Sequence, residues 1–70
     1  EKSHWQVLPA FNPGDHAVIR KTVPDGGLDE GDTVSVEGLT IDRAGLRVLR
    51  DGVLMILPLK DAENIWAELC

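Results

Sequence analysis

The dipeptide Asp51-Gly52 lies between two apolar runs, Leu46-Arg47-Val48-Leu49-Arg50 and Val53-Leu54-Met55-Ile56-Leu57. A two-residue connection between strands needs positive φ at both central positions, which Asp tolerates and Gly adopts freely, and its twist then matches that of the paired strands. The spacing predicts a β-hairpin over 46–57. A lone hairpin is marginal in water, so further strands or a helix must cover one of its faces.

The rest of the chain supplies them. Asn12-Pro13-Gly14-Asp15 predicts a turn ahead of a short strand, His16-Ala17-Val18-Ile19-Arg20, because Pro presets one central φ and Gly tolerates the next. Val23-Pro24-Asp25-Gly26-Gly27 ends that strand, since Pro has no N–H for a ladder and paired glycines lose too much entropy in one. Behind Glu30-Gly31-Asp32, residues 33–37 alternate strictly and predict a second strand. Gly38 interrupts it before Leu39-Thr40-Ile41 resumes the alternation, which predicts a bulge or sharp bend. Asp42-Arg43-Ala44-Gly45 predicts a turn, and residues 4–8 another short strand stopped by Pro9.

Beyond Pro58 the period changes. Leu59, Ala62, Ile65, Trp66 and Leu69 recur at steps of three and four, predicting an amphipathic helix over 59–69. Asp61 and Glu63 fall in its first turn, where the helix dipole favours negative charge. The expectation is one mainly β domain over 1–70, a small barrel of four to five antiparallel strands with one C-terminal α-helix. Seventy residues leave no room for a second domain.

The opening pattern Phe11-x-x-Gly14-Asp15-x-x-Val18, the bent strands, and a last strand running into Pro58 and a short helix resemble the SH3-like small β-barrels. KOW and Tudor-type modules and the plasmid-encoded type II dihydrofolate reductases belong to that group, and the likeness covers roughly residues 11–66. An OB-type barrel is the alternative with the same strand lengths. The stretch 52–65 is similar to the ending of the type II reductases, which resemble it in Gly, strand, Pro and short helix. The Gln and Tyr with which that family lines its pore fall here on Met55 and Leu57. The resemblance therefore implies an architecture, with assembly through the final strand, rather than reductase chemistry.

Charge narrows the function. Lys and Arg number 7 against 12 Asp and Glu, a net charge of −5, which argues against a protein that binds duplexes by neutralising phosphates. Lys21, Arg43, Arg47 and Arg50, with Arg20, are the candidates for anion or single-strand nucleic-acid contacts in the KOW or Tudor manner. Arg47 alternates with Val48 and is expected to face away from the core; Arg50 beside Asp51 reads equally as a hairpin-end ion pair. Asp25, Asp29, Glu30 and Asp32 form a dense acidic loop, but the alternating ligands and late Glu of an EF-hand are missing, and a solvated loop is expected. His4 and His16 are the two histidines, the residue type suited to general acid–base work. Neither comes with a nucleophile elbow, a metalloprotease motif or a phosphate-binding loop. One cysteine, Cys70, makes no internal disulfide, and with two histidines it builds no structural zinc site.

No cofactor and no catalytic residues are expected within one chain. An enzyme or small-molecule site would need several subunits about a symmetry axis. The longest apolar run, residues 53–59, is too short to cross a membrane. No secretory leader is visible at Glu1, which predicts a cytoplasmic protein without membrane contact.

The feature with most functional content is the run Val53, Leu54, Met55, Ile56 and Leu57, apolar at every position. A strand on the outside of a small barrel should alternate. Either the C-terminal helix covers its second face, or that face is an interface. Since so small a core is marginal alone, the expectation is an interface formed by these five residues and Trp66 on the helix. The chain then acts as a non-catalytic binding or assembly module, a homo-oligomer or the receptor of a protein partner. The alternatives are nucleic-acid binding through the arginines and an oligomeric site on an axis.

Overall fold

In the computed structural model, which describes residues 4–24 and 26–70, the Asp-Gly hairpin is formed as its spacing predicts. Asp51 and Gly52 hold φ of 54° and 79° and join β4 (Gly45–Arg50) to β5 (Val53–Pro58). Ahead of them stand β1 (Trp5–Val7), a 3-10 turn (Leu8–Ala10), β2 (His16–Lys21) and β3 (Thr33–Leu39). After them come α1 (Leu59–Ala62) and β6 (Trp66–Leu69).

One antiparallel sheet contains all six strands in the order β1-β6-β2-β3-β4-β5, so β1 and β5 are its edges. The sheet curls around a core of Leu8, Ile19, Val34, Val36, Leu46, Val48 and Ile65, each at most 1% exposed. Alternation explains their placement: Ala17 and Ile19 in β2, Val34 and Val36 in β3, and Leu46 and Val48 in β4 are buried two residues apart. α1 packs on β4, β5 and the 3-10 turn, and so fills the gap between the two ends of the sheet.

Two expectations are corrected. The described residues form six strands rather than four or five, and the helix expected over 59–69 stops after one turn. Residues 65–69 carry both patterns: Ile65, Trp66 and Leu69 fit a helical stripe, while buried Ile65 and Ala67 flanking exposed Trp66 fit a strand. Tertiary pairing decides between them. β6 lies between β1 and β2 and has a ladder on both sides, whereas an isolated short helix is poorly nucleated. The Asn64 side-chain amide closes the turn by donating to the Lys60 carbonyl at 2.9 Å. Trp66 is therefore not on the apolar face of a helix. It stands on β6 opposite Val7 and Lys21, 39% exposed.

Candidate interaction surface

β5 divides its apolar residues between two environments. Leu57 pairs with Leu46 and Met55 with Val48, on the core side; Leu57 is buried and Met55 half-buried. Leu54 pairs with Leu49 and Ile56 with Arg47 on the outer side, where they are 47% and 60% exposed. Val53, at the hairpin end, is 63% exposed. Of the two readings open to the sequence, cover by a C-terminal helix does not hold, because α1 leaves Leu54 and Ile56 open. Trp66 belongs to a different part of the sheet, with β2, β3 and β4 between its strand and β5.

The backbone of β5 is also open. A two-residue loop makes Arg50 and Val53 the closing hydrogen-bonded pair. Antiparallel alternation then turns the N–H and C=O groups of Val53, Met55 and Leu57 toward β4, and those of Leu54 and Ile56 away from it. Among the described residues nothing bonds to these outward groups. Exposed edges are commonly guarded by charged side chains, bulges or proline. β5 carries no charge, no bulge interrupts its pairing with β4, and only its last residue, Pro58, lacks a donor.

The open surface continues past the edge. Ile56 and Pro58 line a shallow hollow with Thr40, Asp42, Ala44 and Gly45. An adjoining hollow is lined by Leu39, Thr40, Ile41, Asp42 and Arg47, and Ile41 is fully exposed. Asp42 joins the two hollows. Its carboxylate accepts the Thr40 hydroxyl and, at 3.0 Å, the Ala44 amide, and these bonds hold it below the ordinary Asp pKa. A depressed folded-state pKa favours the fold above the unfolded value, and this contribution disappears as pH falls through the folded value. Thr40→Val removes the larger cause, so the Asp42 pKa should rise toward its ordinary value in an NMR titration. An unchanged titration would show that the hydroxyl does not set it.

The basic candidates occupy separate stations. Arg47 is exposed beside Ile56, and Arg43 lies in the β3–β4 turn with φ 61°. Arg50, at the opposite end of β4, donates to the Gly27 carbonyl at 2.8 Å and lies 3.5 Å from Asp32 rather than pairing with Asp51. Lys21 is at the end of β2 beside Trp66, and Arg20 pairs with Glu68 at 2.9 Å.

In the acidic loop Asp32 accepts the Asp29 amide at 2.9 Å, while Asp25 lies outside the described residues. Among the described residues no group of three or more His, Cys, Asp or Glu is placed to hold a metal. Ser35 faces His16 across β2–β3 but donates to Glu37 at 3.1 Å. Cys70 is exposed, and its amide donates to the His16 carbonyl at 2.9 Å. Among the described residues no helix is long and apolar enough to cross a membrane.

Leu39 and Ile41 were not legible as surface residues, because alternation alone does not show where β3 leaves the sheet. Their apolar character beside the Asp42-Arg43-Ala44-Gly45 turn is the one signal the sequence offers.

No protein-family model and no curated protein matches the chain. Among solved structures it is similar to the NMR structure of a FeoA-like protein from Clostridium acetobutylicum, with a TM-score of 0.77 at 16% identity, over 96% of this chain and 88% of that one. At that identity the likeness carries the fold alone. It agrees with the sequence resemblance at the level of the small SH3-like barrel, not of KOW, Tudor-type or reductase modules in particular, and the OB-type alternative gives way. The chain has the fold of a small SH3-like β-barrel, with six antiparallel strands and one short helix among the described residues.

Proposed function

We propose that this domain is a binding or assembly module that works through β5 and the outer face of the β4–β5 hairpin. The observation that carries the reading is the coincidence of exposed apolar side chains and open backbone groups at the same two residues, Leu54 and Ile56. Contiguous apolar surface of this kind marks interaction sites. Arg47 and Asp42 form its polar border, Met55 and Leu57 support it from the core side, and Val53, on the Met55 side of the strand, is exposed at the hairpin end.

The double variant Leu54→Lys/Ile56→Lys tests it. Both side chains are too exposed for their loss to threaten the fold, and lysine is a guard that edge strands commonly carry. Burying the exposed half of each residue is worth about 1 kcal/mol, so association through this surface should weaken by roughly thirty-fold or more. Light scattering for self-association and a pull-down for protein partners both read the effect. If neither changes while the fold is retained, the reading is wrong.

A further inference from the structure

Resting on that reading, we propose that the occupant of the β5 edge is a second copy of this chain, paired antiparallel about a two-fold axis through Met55. Leu54 and Ile56 are two residues apart, and each presents one outward donor and one outward acceptor. Placing Leu54 opposite Ile56 of the second copy makes both pairs hydrogen-bonded, and all four outward groups of each copy find partners. Sliding the copies so that Ile56 faces Ile56 sets Leu54 against Pro58, which has no N–H, and leaves the Leu54 carbonyl unpartnered. Sliding them the other way sets Ile56 against Gly52, which is committed to the hairpin turn. One register satisfies the whole edge.

The side chains are compatible with this register. Leu54 and Ile56 of both copies meet as cross-strand neighbours on the outer face, where such apolar pairs stabilise a sheet.

The test uses the whole chain. Light scattering over a dilution series should give a mass twice the 7.6 kDa of one chain, falling to that of the monomer on dilution. The Leu54 and Ile56 amides should exchange slowly in the dimer and fast in the monomer, a readout that needs no substitution. Ile56→Pro removes the outward N–H while leaving the β4 ladder and an apolar side chain, and should raise the dimer dissociation constant at least about ten-fold (about 1.4 kcal/mol).

In a Cys70→Ser background, Met55→Cys should cross-link two copies, because Cα atoms in a non-hydrogen-bonded pair lie about 4.5 Å apart, within disulfide range. Val53→Cys should not. A dimer that cross-links through Val53→Cys alone, or that Ile56→Pro leaves intact, overturns the proposal. So does a single-chain mass at every concentration. If that monomer still captures a protein partner and loses it with Leu54→Lys/Ile56→Lys, the binding reading stands without the second copy. If the lysines change nothing, both fail.

Discussion

Ile65→Ala is expected to lower the unfolding free energy by about 3 kcal/mol, within the range for truncating a fully buried Ile, and the melting temperature by roughly 12–24 °C for a domain of this size. Ile65 has no exposed surface, and its carbonyl accepts the Leu8 amide at 3.0 Å, tying the 3-10 turn to the start of β6. Its side chain also comes so near Gly26 that a Cβ there would lie 3.2 Å from it. The 3-10 turn, α1 and the segment at Gly26 thus meet at one residue, whose side chain belongs to the buried core, and its truncation leaves a cavity there. A chain of 70 residues has a total stability of about 3.5–10 kcal/mol, so the loss is a large share of it. Leu69→Ala is the comparison. A helix over 59–69 would set Ile65 and Leu69 on one buried stripe and make the two truncations similar. In β6 Leu69 is 59% exposed, and its truncation should cost under about 1 kcal/mol. Equal losses in thermal melts would contradict the observed ending of the chain.

That contrast marks what sequence can and cannot carry in a molecule this small. Turn chemistry is local: Asp51-Gly52 specifies its hairpin whatever surrounds it, and Gly38 announces an irregularity from its own position. Residues 65–69 are different, because five residues satisfy both periods and the choice belongs to β1 and β2, distant in the chain. The apolar run of β5 was legible as unusual. Its division into a core side and an open side depends on register with Leu46 and Val48, and its place at the sheet edge depends on β6 inserting between β1 and β2. Arg50 repeats the lesson: its partners Gly27 and Asp32 come from a loop that no local pattern brings to the hairpin.

Gly38→Ala is expected to cost about 2 kcal/mol, the scale of a non-glycine residue forced into a sparsely populated backbone region, and to lower the melting temperature by roughly 8–16 °C. Gly38 holds φ at 120°, where a Cβ is strained whatever the space around it. Space is not the obstacle, since the nearest neighbour of that Cβ would be a Pro13 carbon at an ordinary 3.5 Å. The penalty is conformational, and its consequence is topological. β3 pairs Val36 with Val48 and then Gly38 with Arg47, so one extra residue enters the strand between them. Side chains alternate faces with a period of two. Without that extra residue Leu39 would fall on the outer face; with it Leu39 pairs with Leu46 on the core side and lines the rim beside Pro9 and Phe11. The variant therefore has two ways to respond. It can keep the bulge and absorb the strain, giving a lower melting temperature with an unchanged β4–β5 surface. Or it can slip β3 by one residue, which exposes Leu39 further and displaces Ile41 and Asp42 from the hollows beside Ile56. The two are told apart by the amide chemical shifts of Arg47 and Leu46, which move only if the register does. An unchanged melting temperature would show that the backbone at 38 does not need glycine.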